Sequence, residues 1–224
     1  IKNIRSKVGD NVNDKKFVKY ASLIVVFLFI CGLIFASLRL YQSANSRLNH
    51  HEIENQNKLD KIKESNQIKT LGHKDAKKDV VVFIDYRCEA CHQFHKDYFK
   101  KIESLIKKNK IQYTEVAYSS IDDYSKDFTQ LDIAASQILN QKQYIKFKKI
   151  VYKETNKDQP QVKNVVNHFK FDTQTQIYNN YHKNKNAQLD LNQFGQKMHI
   201  KRTPTIFIDG QKITSAKQLK KELK

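Results

Sequence analysis

Two cysteines three positions apart, Cys88 and Cys91, are the residues of this chain best suited to chemistry. The sequence holds three cysteines. Cys31 lies inside an apolar run, where it reads as a small helix filler, so no framework of disulfides exists. A lone C-x-x-C is read as redox or metal chemistry. Disulfide exchange requires a thiolate, and a helix N-terminus or a C-x-x-C setting lowers a thiol's pKa by about one to several units. An apolar run, Asp79 to Tyr86 (DVVVFIDY), precedes the pair, and a helical pattern comes after it. Cys88 is thereby predicted at a helix N-terminus, where unpaired N–H groups and the helix dipole favour negative charge. Cys91 falls one turn inside and more deeply buried. Cys88 is accordingly the attacked or attacking sulfur and Cys91 the resolving one, with both on one side of the first turn and within bridging reach.

The neighbours tune that pair in opposite senses. Arg87 would support a thiolate at Cys88; Glu89 would oppose it; Ala90 completes the inner dipeptide. His92 and His95 would add positive charge if protonated. Two rival readings claim the same residues. Cys88-Glu89-Ala90-Cys91-His92 fits the short C-x-x-C-H pattern of c-type haem attachment, but no second axial ligand stands out, Met198 being the sole methionine. Zinc would have to use Cys88, Cys91, His92 and His95, four ligands crowded into eight residues, whereas structural sites draw on separated pairs. The reading adopted therefore calls for no cofactor and no metal.

A second informative segment is Arg202-Thr203-Pro204-Thr205-Ile206-Phe207-Ile208-Asp209-Gly210. A proline ahead of an apolar strand suits a strand's first residue or an edge. It is read either as a trans proline that starts the strand or as a cis X-Pro bond.

The elements that must position these residues are set by periodicity. Phe94, Tyr98, Ile102, Leu105 and Ile106 mark one face of the helix after the cysteines. Ile111 to Ala117 is a second strand. From Asp122 to about Asn186 the pattern is helical, with apolar faces at Leu131, Ala134, Ala135, Ile138 and Leu139, at Phe147, Ile150 and Val151, and at Val162, Val165, Val166 and Phe169. Pro160 is read as a first-turn residue. Leu189 to Ile200 is a further helix, Thr205 to Ile208 a third strand, Asp209-Gly210 a hairpin turn and Gln211 to Ile213 a fourth strand. Ser215 caps a last helix. The order is β-α-β, a helical block, then β-β-α, and the cysteines lie beyond a strand's carboxyl end, where ligand sites of α/β sheets occur.

Together LGHKDAKKDVVVFIDYRCEACHQFH and KRTPTIFIDGQKI resemble the two signature segments of the DsbA-like thioredoxin family, in order and at the family's separation. The resemblance covers about Leu71 to Lys224 and implies an α/β, thioredoxin-like fold with a helical insertion at about 120–198. It implies a nucleophilic Cys88, a resolving Cys91 and a cis Thr203–Pro204 peptide beside them, with the Thr203 backbone pairing with an extended substrate. It also implies a membrane redox partner, quinone-linked, that reoxidises the pair. Glu89-Ala90 departs from the family, whose members commonly carry proline after the first cysteine. An anionic Glu89 should make the disulfide a weaker oxidant.

Around this domain the chain is strongly basic and very polar. Its net charge is +18, with lysines spread throughout and no run of five, and no nucleic-acid-binding motif is present; a solvated basic surface near anionic polymers is the reading adopted. Five glycines and two prolines argue against a turn-rich β-sandwich. Ala21 to Leu38 holds 18 residues without a charge, enough to cross a bilayer as a helix. Its length favours an uncleaved anchor over a signal peptide. Lys2, Arg5, Lys7, Lys15, Lys16 and Lys19 precede it, whereas the flank just after it, 39–57, carries only Arg39 and Arg47, which by the positive-inside rule places the N-terminus in the cytoplasm. The organisation expected is a cytoplasmic segment 1–20, a transmembrane anchor 21–38, a polar stalk 39–70 that is helical or disordered, and the domain 71–224. The function expected is an extracytoplasmic thiol–disulfide oxidoreductase that forms disulfides in secreted or surface proteins, its partners being their thiols, the redox partner and the lipid bilayer. The opposite direction (reductase or isomerase) and a non-catalytic peptide- or wall-binding module are the alternatives.

Overall fold

The computed structural model describes residues 10–183 and 186–224; Lys2, Arg5 and Lys7 of the basic flank lie outside them. The chain divides into two compact units, one ending at His50 and one spanning His51–Lys224. A single helix, α1 (Asp10–Lys63), supplies residues to both. Its apolar part holds an 18-residue window of mean hydropathy 1.9, none of it buried. By length and composition it can cross a membrane.

The second unit starts at His51 and not at Leu71, because the last turns of α1 pack into it. Leu59 is fully buried, Gln56 donates to Asp79 at 2.7 Å, and Asn55 donates to the Gly210 carbonyl. The polar composition of this segment hid its role, since two apolar residues, Leu59 and Ile62, and a few amide and ion-pair contacts do the docking. Gly210 sits at φ +77, and a Cβ there would meet the Glu52 carbonyl at 2.2 Å, so the Asp209-Gly210 turn needs its glycine both for conformation and for the approach of α1.

The sheet has five strands in the order β1-β3-β2-β4-β5: β1 (Thr70–Leu71), β2 (Lys78–Ile84), β3 (Ile111–Ala117), β4 (Thr205–Ile208) and β5 (Gln211–Lys212). The short β1, absent from the sequence reading, pairs antiparallel with β3. β2 is central, parallel to β3 and antiparallel to β4. Its unbroken apolar run reflects burial on both faces. Val80, Val82 and Ile84 enter the larger core; Val81 and Phe83 enter a second core with Leu59, Leu191 and Met198. A β-branched residue wholly removed from water contributes about 1.5–3 kcal/mol, so β2 is a rigid base for the cysteine turn and the helix beyond it.

Helix α2 (Glu89–Lys107) follows β2 after a four-residue turn, 85–88, and buries Cys91, Phe94, Phe99, Ile102, Leu105 and Ile106. The helical block is five helices: α3 (Asp123–Ile138), α4 (Gln141–Thr155), α5 (Val162–Val166), α6 (Phe171–Lys183) and α7 (Gln188–Lys197). Pro160 lies ahead of α5, whose N-cap is Gln161, and so outside its first turn. The last helix, α8 (Ala216–Glu222), is capped as expected by Ser215, whose hydroxyl accepts from the Gln218 amide.

Candidate functional site

The turn between β2 and α2 is built on Asp85. The residue is fully buried, and its carboxylate accepts from the amides of Arg87 and Ser120 at 2.8 Å each. It also accepts from the hydroxyls of Ser120 (3.3 Å) and Ser125 (2.7 Å). Its carbonyl accepts from the Cys88 amide at 3.1 Å. One side chain thereby ties the cysteine turn to the loop after β3 and to the start of α3. Sequence reading passed over Asp85; an aspartate closing an apolar strand was the available signal.

Cys88 is the N-cap of α2 in extended conformation, and no side chain caps the helix. Its carbonyl accepts from the amides of Cys91 and His92. The Cys88 sulfur is half-buried at the start of the helix. The Cys88 thiol donates to the Thr203 carbonyl at 3.3 Å, and the Thr203–Pro204 peptide is cis. Cys91 is fully buried. Burial pushes its thiol well up, and contacts with the Asp85 backbone and Thr203 offset that only in part. The pair is thus unequal: one sulfur reachable, the other sealed and held as the thiol.

The tuning residues divide. Glu89 and Ala90 are exposed in the first turn. Arg87 points elsewhere. Its guanidinium donates to Asp122 at 3.0 Å and to the carbonyls of Thr155 and Lys157 at the end of α4, and it lies over the Tyr124 ring. Its charge is committed to clamping the turn onto α3 and α4. His92 and His95 carry no extra charge near neutrality: burial lowers both, His95 to about 4. A ring nitrogen of His92 bonds the Tyr86 carbonyl at 2.8 Å. His95 is stacked between Phe99 and Tyr152, at ring-centroid separations of 4.3 and 4.0 Å. With the histidines so engaged, Cys88, Cys91, His92 and His95 do not form a ligand cage. Among the described residues no group of three or more histidine, cysteine, aspartate or glutamate side chains could hold a metal ion.

Beneath Cys91 lies an ionic cluster that sequence reading did not single out. Lys148 on α4 is buried and bridges Glu115 of β3 and Asp132 of α3 at 3.0 Å each; it also donates to the Tyr86 hydroxyl at 2.6 Å. Tyr113 and Tyr152 donate to Glu115, and Tyr144 to Asp132. Burial raises Asp132, and Lys148 offsets this only partly; burial also raises Glu115, but the Lys148 ammonium and the Tyr113 hydroxyl help to outweigh it, and the carboxyl is held low. A signal existed: Tyr144, Lys148 and Tyr152 are four apart on one helical face, and a lysine centred on such a buried stripe requires partners.

The geometry agrees with relationships found by comparison. A family model described as thioredoxin matches residues 48–224. The chain belongs to that family, and its fold is a thioredoxin-like sheet with a helical insertion, of the kind seen in DsbA-type thiol–disulfide oxidoreductases. Among solved structures it is similar to oxidised BdbD from Bacillus subtilis (22% identity, TM-score 0.59, covering 70% of this chain and 93% of that one). It is also similar to MdbA, a thiol-disulfide oxidoreductase from Actinomyces oris (16%, 0.61, 71% and 88%), and to the thiol-disulfide exchange protein alpha-DsbA2 from Wolbachia pipientis (16%, 0.59, 77% and 95%). No curated protein matches the sequence.

Proposed function

We propose that the protein is a membrane-anchored thiol–disulfide oxidoreductase that introduces disulfides into secreted or surface proteins, with Cys88 and Cys91 as its redox pair. One observation carries the reading: a reachable Cys88 sulfur at a helix N-terminus, 3.3 Å from the Thr203 carbonyl beside Pro204, with Cys91 sealed behind it. In the oxidised enzyme a substrate thiolate attacks the Cys88 sulfur, the Cys88–Cys91 bond breaks, and Cys91 leaves as a thiolate that takes up a proton. The second substrate thiol, deprotonated, attacks the substrate sulfur of the mixed disulfide. Cys88 then leaves as the thiolate, stabilised by the first-turn amides. Two electrons pass from the substrate thiols to the enzyme, and a membrane redox partner removes them. The Thr203 backbone aligns an extended substrate. Burial that keeps Cys91 protonated disfavours its attack on the mixed disulfide, so substrate completes the exchange. α1 anchors the chain with its N-terminus in the cytoplasm and the domain outside, where oxidation is sustained.

The test uses the full chain in detergent, oxidised, with a reduced two-cysteine peptide. The expected result is one peptide disulfide per enzyme reduced and none with Cys88→Ser; Cys91→Ser, its Cys88 first activated as the thionitrobenzoate mixed disulfide, should release one thionitrobenzoate to a one-cysteine peptide and hold that peptide as a stable mixed disulfide. A couple that reduces insulin but oxidises no peptide would reverse the assigned direction. Labelling of Cys88 by an impermeant maleimide in intact cells checks the orientation; protection until lysis would place the domain inside.

A further inference from the structure

Two lysine stripes face each other beside the redox turn. On α2, Lys96, Lys100, Glu103 and Lys107 have spacings of four, three and four residues; on α4, Lys142, Lys146, Lys149 and Lys153 repeat the same spacings. Such spacing keeps each set on one helical face. Between the helices lie three adjoining depressions, together called the furrow: the first two share His95, Lys96 and Lys149, and the last two share Glu103, Lys107 and Lys149. One end is bordered by Glu89 and His92, next to Cys88; the middle by Phe99 and Glu103; the far end widens into a cavity of about 1090 Å³ between Ile106 and Ile145.

The charge along this furrow is one-sided. Lys149 and Lys107 hold Glu103 from either side at 2.7 and 2.9 Å, neutralising it and joining the two walls. Lys146 is turned to the His168 carbonyl and the Phe169 ring. Lys96, Lys100, Lys142 and Lys153 are exposed on the walls. Only Glu89, at the mouth, adds an exposed carboxylate to the lining. Lysines from both helices thus line the same depressions, together with Phe99, Ile106 and Ile145, and like charges gathered in a cleft raise the local potential.

We propose that this furrow receives an extended acidic segment of the polypeptide whose thiol reacts at Cys88, a proposal that rests on the thiol-exchange reading. Continuity with the redox turn selects the occupant. A substrate chain held at Thr203 and Cys88 can run on past Glu89 between the lysine walls, its carboxylates meeting lysines and its small apolar residues meeting Phe99, Ile106 and Ile145. Complementarity of this kind acts chiefly on association rate and on choice among substrates.

The test uses the full chain in detergent and two variants that lose equal charge: Lys96→Ala/Lys100→Ala/Lys153→Ala in the furrow and Lys217→Ala/Lys220→Ala/Lys221→Ala on α8. Binding of cysteine-free labelled peptides, acidic or neutral, is read by anisotropy at low salt. Oxidation of the corresponding two-cysteine peptides is read by rate. The acidic peptide is expected to bind wild type and the α8 variant alike and the furrow variant at least fivefold more weakly. The acidic-to-neutral rate ratio should fall about tenfold in the furrow variant alone and decline in wild type as salt is raised. Equal losses in the two variants, or no preference of wild type for the acidic peptide, would overturn the proposal. So would inorganic polyphosphate that binds the furrow more tightly than the peptide, the mark of a general polyanion surface. Failure to oxidise any peptide would strike the redox reading instead, with the binding arm still judging the furrow.

Discussion

The outer and inner sides of the first turn of α2 are built on opposite terms. Outside, Glu89 and Ala90 are exposed and Cys88 is half-buried, its thiol donating to the Thr203 carbonyl at 3.3 Å. Inside, Asp85, Glu115, Asp132 and Lys148 are buried with their polar atoms paired. The difference shows how a thioredoxin-like site can be both precise and open. A group that must exchange partners needs few competing bonds, and it stays in place only if the layer beneath is saturated, because an unpaired polar group in low dielectric is costly.

Breaking the inner side should therefore cost stability, while changes outside should move only the chemistry. The largest effect is expected for Lys148→Met, which leaves Glu115 and Asp132 facing each other without a cation. A loss of about 3–5 kcal/mol is expected in chemical denaturation, with substantial recovery when Glu115→Gln and Asp132→Asn are added. A Lys148→Met protein as stable as wild type would show that the cluster is not under ionic tension.

Acid should find the same inner layer through His95. Its folded pKa, about 4, lies below the ordinary histidine value, so between about pH 6.5 and pH 4 the unfolded chain binds more protons and stability falls as pH falls. The loss attributable to this ring is up to about 3 kcal/mol. His95→Phe, which keeps the stack with Phe99 and Tyr152, is expected to flatten that part of the stability–pH curve; an unchanged slope would place the acid sensitivity elsewhere.

Asp85→Asn comes next. An amide nitrogen must then face one of the donors that the carboxylate now accepts, at a cost of about 2 kcal/mol. The reactivity of Cys88 toward iodoacetamide should also change, because its turn loses an anchor; stability loss with an unaltered reactivity–pH profile would confine Asp85 to folding. The smallest effect belongs to the outer side. Glu89→Gln is expected to make the couple more oxidising by about 10 mV in a glutathione titration, with no measurable change in stability. A shift in the reducing direction would overturn the role assigned to Glu89.

Legibility in the sequence tracked the range of the interactions. The apolar run of β2, the helical face of α2, the Asp209-Gly210 turn and the Ser215 cap are local patterns and lay where the chain order put them. β1 escaped notice because two residues carry no periodicity. Residues 51–63 read as stalk because a polar helix docks through two apolar residues, Leu59 and Ile62, and a few side-chain bonds. Arg87 was adjacent to Cys88 in sequence, yet its guanidinium reaches Asp122 and the end of α4.

The order of the elements, the Cys88–Cys91 pair on a helix start and a proline ahead of β4 were determined by the sequence itself, since each depends on residues within a few positions of one another. Only the tertiary structure decided that burial lowers the His92 and His95 rings, that Lys148 is a buried counterion, and that two lysine stripes border the same depressions. Those outcomes depend on burial and on partners distant along the chain, and local pattern encodes neither.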